Sequence, residues 1–313
     1  MSNLTKNQSL DKAQTFSSCA NADPKLYCRP VIGILSHPAP DNRSYIAASY
    51  VKLVEAAGGR VIPLIYNDPD VFQKLELVNG VLFTGGRSKS GLYYDIAEKI
   101  FKKVKEKNNM EDYFPLYAVC LGFELLTMII SEDKNILEPF SASKQPSSLQ
   151  FVENVKFEGT VFERFPPNLL QKLKTDRLAM QNNCFGISPE KLRNTPKLSE
   201  FFKILTTCTD ENDKVYVSTA QAHRYPVTAF QWHPEKNAFE SGLPMIPNSD
   251  DAIEVTQHVA NFFIREARRS PNRPDAQKVR DSLIYNYSPE YSGKDGEGFD
   301  QVYYFGQRQA RNL

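Results

Sequence analysis

The sequence predicts an α/β fold built on a doubly wound, mostly parallel sheet, and three features carry that prediction. Short, near-continuous apolar runs at Val31–Leu35, Val61–Ile65, Gly80–Phe83 and Leu116–Val119 read as strands covered on both faces. Segments with helical apolar spacing alternate with them. Three of the runs end in small or turn-forming residues, Ser36-His37-Pro38, Thr84-Gly85-Gly86 and Cys120-Leu121-Gly122. In an open parallel sheet such carboxyl ends are where ligands bind.

Taken in order, residues 1–29 are polar without a hydrophobic period and read as a disordered N-terminal arm. One domain is expected over residues 30–313. After the first strand, Tyr45–Ala57 has the spacing of an amphipathic helix and stops at Gly58-Gly59. Val71–Leu77 reads as a short helix, Ile96–Lys107 as a surface helix, and Phe123–Ile130 as the helix following the fourth strand. Beyond about residue 133 the rhythm changes. Leu149–Phe157, Phe202–Cys208, Val215–Thr219 and Val227–Gln231 suggest antiparallel strands, the last two separated by the turn His223–Pro226. Ala252–Ala267 is an amphipathic helix, and the tail 270–313 is expected to wrap the surface.

A chain of 313 residues with 41% hydrophobic content forms a proper core. Lys and Arg number 38 against 37 Asp and Glu, well interspersed, so there is no footprint for nucleic acid or a membrane surface. No stretch approaches the roughly 18 apolar residues of a membrane span. The N-terminus lacks a basic-then-apolar leader, which predicts a cytosolic protein. Sequons at Asn3, Asn7, Asn42 and Asn286 matter only in a secreted product. If Cys120 is a free thiol, Cys19, Cys28, Cys184 and Cys208 are enough for two disulfides whose pairing stays open. No His or Cys has metal-ligand spacing, and there is neither a Walker loop nor GxGxxG, so no metal or cofactor is expected.

Chemistry concentrates in Pro115–Glu124, PLYAVCLGFE. Cys120 falls on a strand-to-helix turn, which lifts a side chain above the sheet edge, and the helix N-terminus behind it favours thiolate over thiol. A second stretch is Phe230–Glu235, FQWHPE. In extended backbone His233 and Glu235 share a side while Trp232 faces away. A carboxylate on one imidazole nitrogen fixes the tautomer and leaves the other to take a thiol proton. Gly85-Gly86 lets backbone amides approach a ligand, with Gly86 and Leu121 as the oxyanion donors. His37 reads as a turn residue.

The stretches PLYAVCLGFELL, FTGG and FQWHPEKNAFE, with RPVIGILSHP, SYIAASYVK, GRVIPLIY and LIYNYSPEY, resemble the plant-type γ-glutamyl hydrolases of the class I glutamine amidotransferase-like superfamily. The resemblance runs from about Arg29 to Phe305. It implies a flavodoxin-like sheet with helices on both faces and an antiparallel extension, a cofactor-free homodimer, and delivery to the vacuole or extracellular space. It implies that folylpoly-γ-glutamate is the substrate, Cys120 the nucleophile, His233 the base and then the acid, and Glu235 its orienter. Glu124 is then placed to meet the α-amino group of the γ-glutamyl unit, and Gly85, Tyr45 and Asn183 border the substrate. Two positions depart from the family pattern. Ala118 stands two before the cysteine where glycine is usual. Gln181-Asn182-Asn183 stands where the family carries Gln-Asn-His before Gly-Ile-Ser, and asparagine cannot carry charge or transfer a proton. The alternatives are a catalytically weakened γ-glutamyl-binding paralogue and a glutaminase-type amidotransferase module.

Overall fold

The computed structural model describes residues 26–293 and 298–306. Among these, eight strands form one sheet. Arg60–Leu64, Val31–Leu35, Gly80–Phe83, Leu116–Val119 and Val227–Phe230 run parallel in that spatial order. Val215–Ala222, Phe202–Thr209 and Gln150–Phe151 extend it antiparallel. This is the expected α/β class with its antiparallel extension.

The parallel strands are apolar throughout because both faces are covered. Ile32 and Ile34 join one core cluster with Tyr50, Val54 and Phe263, while Val31 and Leu35 join the other with Tyr93, Phe101 and Leu125. Successive side chains point to opposite faces, so a five-residue run feeds two cores. The helices Ala48–Ala56 and Asp250–Ala267 cover the first face; Gly91–Asn109 and Leu121–Ser131 cover the second. Tyr117, on the strand that leads into Cys120, stacks on Phe263 at 4.0 Å between ring centroids.

The structure corrects several expectations. Tyr45–Ala47 is not the start of a helix: Ser44–Ala47 is a strand pairing with Gln301–Phe305 on one side and His37–Pro38 on the other. A distant strand partner outweighs the local helical pattern. The tail therefore does more than wrap the surface, since Gln301–Phe305 and Glu290–Tyr291 complete a four-stranded sheet. Leu149–Phe157 contributes only the strand Gln150–Phe151, whereas Glu138–Ser147 and Ala179–Gly186 form an unforeseen hairpin-like pair. Residues 1–25 of the expected arm lie outside the described residues. Tyr27 donates its backbone N–H to the Arg268 carbonyl at 2.7 Å, and Cys28 is disulfide-bonded. Cys184 and Cys208 are free thiols, the first exposed and the second buried, so no second bridge links them.

Gly122 shows how closely the layers meet. A Cβ there lies 2.7 Å from the Phe83 carbonyl oxygen and 2.8 Å from Phe83 Cβ, and backbone cannot move aside. Gly122→Ala is expected to destabilise the fold by about 1–3 kcal/mol, as overpacked cores do. A lower thermal midpoint with intact secondary structure by circular dichroism checks it.

Candidate active site

Three neighbouring parallel strands bring the chemistry together at their carboxyl ends. Leu116–Val119 delivers Cys120, Gly80–Phe83 delivers Gly85 and Gly86, and Val227–Phe230 delivers His233. Cys120 has φ 51° and ψ −107°, a conformation that costs a non-glycine residue about 1–3 kcal/mol. Its amide donates to the Phe230 carbonyl at 2.7 Å, and its carbonyl accepts from the Glu124 amide at 3.1 Å, so both neighbours hold the turn.

Past Phe230 the chain leaves extended conformation and turns, with Lys236 N–H donating to the His233 carbonyl at 3.3 Å. The expected extended spacing is therefore not what pairs His233 with Glu235. The turn does so, setting Nδ1 at 2.7 Å from Glu235 Oε1 with both side chains buried. A carboxylate only accepts, so Nδ1 carries the proton and Nε2 presents its lone pair. That Nε2 is buried without a hydrogen-bond partner among the described residues. Trp232 does face away, donating Nε1–H to Thr219 Oγ1 at 3.0 Å inside the core.

Gly85 lies between the two reactive groups. A Cβ there falls 2.9 Å from His233 Cε1, 3.4 Å from Cys120 Cβ and 2.8 Å from Tyr50 Oη. Its amide donates to that Tyr50 hydroxyl at 2.8 Å, so Gly85 contributes clearance between thiol and imidazole, and its N–H is already engaged. Gly86 is packed against the His37 ring. The Leu121 amide is hydrogen-bonded to the Cys120 sulfur and holds the thiol lower than burial alone does.

The thiol is nonetheless pushed well above its ordinary range. Burial is the main cause, reinforced by the negative charges of Glu124 and Glu235, and the Leu121 amide and Lys89 only partly offset them. Against the expected thiolate, burial next to two carboxylates holds the sulfur in its protonated form. The resting sulfur keeps its proton and sits 3.9 Å from the Asn182 carbonyl oxygen. Burial also pushes Glu235 up, but the charge and hydrogen bond of His233 win, and its carboxyl lies below the ordinary value. Glu124 is raised by burial, against the pull of Lys89 and Gln231.

Glu124 is 4% exposed, ion-paired to Lys89 Nζ at 2.8 Å and approached by Gln231 Nε2 at 3.4 Å. Asn183 is buried on the strand Ala179–Gly186, its Nδ2 donating to the Phe185 carbonyl at 3.1 Å while Oδ1 is unpartnered. Tyr45 packs on His37, Phe299 and Tyr304. Sequence reasoning missed Tyr50, Lys89 and Gln231. Gln231 stands two before His233 in the FQWHPE stretch, a signal that was available; Tyr50 looks like any helix core residue, and Lys89 like any loop lysine.

An open parallel sheet whose strand ends gather a turn-borne cysteine, a glycine pair and a carboxylate-bound histidine is an arrangement suited to cysteine-dependent hydrolysis. The Peptidase C26 family pattern matches residues 30–235. Gamma-glutamyl hydrolase 2 of Arabidopsis thaliana is 59% identical over 303 residues, 93% of this chain and 87% of that protein. Gamma-glutamyl hydrolase of Glycine max is 53% identical, covering 92% of this chain and 88% of its own length. The Mus musculus gamma-glutamyl hydrolase is 35% identical over 88% of this chain and 90% of that one. The chain belongs to the peptidase C26 family and is a hydrolase.

Replacing Glu235 by Gln keeps the shape but removes the charge that stabilises a protonated His233. Turnover is expected to fall by about 10²–10⁴-fold, as for comparable orienting carboxylates. Because the carboxyl of Glu235 is lower folded than unfolded, the stability it contributes is full above the ordinary carboxylate range and is lost as pH falls through its folded value. In Glu235→Gln the acid-side decline of the thermal midpoint is expected to be shallower; denaturation scans across acidic pH check it.

Proposed function

We propose that this chain is a cysteine-dependent γ-glutamyl hydrolase that cleaves γ-linked glutamates from folylpoly-γ-glutamates. The observation that carries the reading is the buried, unpartnered His233 Nε2, oriented through Nδ1 by Glu235 and separated from Cys120 by a residue without a side chain. The gamma-glutamyl hydrolases among its plant and animal relatives support the γ-glutamyl linkage as the bond attacked.

The chemistry follows from the protonation states. The neutral thiol cannot attack unaided, so His233 Nε2 takes its proton as Sγ adds to the γ-carbonyl carbon. The oxyanion is received by the Gly86 and Leu121 amides. The imidazolium, held by Glu235, protonates the leaving amine as the C–N bond breaks and a γ-glutamyl thioester remains. Water attacks the thioester, giving its proton to His233, and the C–S bond breaks; the released sulfur recovers the proton. Glu124 receives the N–H on the α-nitrogen of the γ-glutamyl unit, and Lys89 supplies the cation that its α-carboxylate requires.

The disulfide at Cys28 supports an oxidising destination, the vacuole or the extracellular space. A homodimer completes the proposal, and sedimentation of the purified protein tests it.

Purified protein given pteroyl-γ-glutamate chains is expected to release glutamate or shortened chains, and Cys120→Ala to release none. Ammonia from glutamine in place of folate cleavage favours an amidotransferase module; tail binding without cleavage favours a binding paralogue. Asn183→His places an ionisable ring where Oδ1 is now unpartnered and is expected to raise turnover on the same chains. Unchanged turnover shows that asparagine suffices.

A further inference from the structure

The reading above leaves unexplained a buried histidine that the reaction does not use. His37, 6% exposed, lies on the short strand His37–Pro38 beside the loop that carries Gly86. Its Nδ1 is 2.8 Å from the Pro38 carbonyl oxygen, which only accepts, so Nδ1 bears the proton. Nε2 is then a lone-pair acceptor, and two consecutive backbone amides point at it, Arg87 N–H at 3.0 Å and Ser88 N–H at 3.1 Å. The ring is fixed from its sides by Tyr45 at 5.2 Å and Tyr93 at 5.1 Å between centroids. Gly86 is pressed onto it: a Cβ there lies 2.2 Å from Cδ2 and 2.4 Å from Nε2. One imidazole thus determines the path of three successive residues, the first of which is the oxyanion donor of the proposed reaction.

We propose that His37 is a positioning residue of the oxyanion site: its neutral ring holds the Gly86–Ser88 backbone through Nε2, and its protonation releases that backbone. This rests on the functional reading above. A proton on Nε2 sets an N–H against two N–H donors, and among the described residues no carboxylate faces the ring to compensate. The groups facing the ring are the Pro38 carbonyl on its own strand, Tyr45 from Ser44–Ala47, Tyr93 from Gly91–Asn109, and the Arg87 and Ser88 amides. Tyr45 is raised to about 12, chiefly by burial, and Tyr93 is raised by burial too, so both stay neutral; the charged neighbour acting on Tyr45 is the cation Arg87. Burial accordingly lowers His37 to about 4, with the Pro38 hydrogen bond opposing. With a folded value below the ordinary 6.5, His37 contributes its full stability above 6.5 and loses it as pH falls toward 4.

The test compares wild type, His37→Leu and His37→Gln on pteroyl-γ-glutamate chains, with Cys120→Ala as the blank. Leucine keeps bulk but accepts nothing; glutamine accepts through Oε1 and does not titrate. His37→Leu is expected to lower kcat by about 10–100-fold with KM little changed, the scale of a misplaced catalytic group. His37→Gln is expected to recover most of kcat. Amide-exchange protection factors at Arg87 and Ser88 should be high in the wild type at pH 7, fall as pH approaches 4, and persist in His37→Gln. If His37→Leu does not fold, the wild-type exchange profile and His37→Gln carry the test. Wild-type kcat in His37→Leu, a kcat in His37→Gln no higher than in His37→Leu, or wild-type protection that ignores pH each overturns the proposal. If the wild type shows no turnover beyond the Cys120→Ala blank, the functional reading fails instead, and the exchange data still decide the role of His37 in holding the loop.

Discussion

The site depends on one backbone constraint, the left-handed conformation of Cys120. Such strain persists only where the surroundings over-determine it. Here the Phe230 carbonyl holds the Cys120 amide, the first turn of the helix accounts for its carbonyl, and Gly122 allows that helix to pack onto Phe83 with no side chain intervening. The same contacts fix relative positions across the sheet. Phe230 leads into His233, and Phe83 leads into Gly85, so the bonds that stabilise the turn also set the distances among Cys120, His233 and the Gly85-Gly86 loop.

Electrostatics then decide how that geometry is used. Two carboxylates, Glu124 and Glu235, face a buried sulfur, and both oppose its ionisation. A preformed thiolate–imidazolium pair would require the Leu121 amide and Lys89 to outweigh burial and the two carboxylates, and they do not. In the proposed reaction the proton stays on sulfur until a carbonyl carbon is presented, and the lone pair on His233 Nε2 receives it. There Glu235 stabilises the imidazolium that results, so its proximity favours the proposed step even though its charge disfavours the free thiolate. Lys89 balances Glu124, so the pocket beside the sulfur carries a paired positive and negative group suited to an α-substituted glutamyl unit.

What the sequence revealed follows the range of the forces involved. Cys120, His233 and Glu235 were legible because each lies in a stretch whose local chemistry is unusual for a core segment. The parallel strands were legible because double-sided burial leaves an uninterrupted apolar run. Glu138–Ser147 was not, since it is largely polar and contains prolines, and only its partner Ala179–Gly186 makes it a strand. Ser44–Ala47 was hidden behind a helical pattern because its partner strand comes from the far end of the chain. Lys89 and Tyr50 gain their roles from tertiary neighbours, and no local pattern announces that. The thiolate expectation failed for a related reason: a helix dipole is visible in sequence, whereas burial beside two acidic groups is a property of the folded pocket.

The adjacent glycines illustrate why a short motif under-reports its physics. Gly85 and Gly86 look equivalent in sequence, yet their missing side chains serve different neighbours. At 85 the space belongs to His233 and Tyr50; at 86 it belongs to the His37 ring. The loop is held from both sides by acceptors, the Tyr50 hydroxyl taking the Gly85 amide and His37 Nε2 taking those of Arg87 and Ser88. Gly86 is the residue between these two anchors. Its backbone is placed by these two anchors, and the Tyr50 hydroxyl is close enough to Glu235 for that carboxylate, after burial, to help hold it neutral. In the proposed reaction, therefore, a change that loosens either the His37 or the Tyr50 anchor acts on transition-state stabilisation before it acts on the fold.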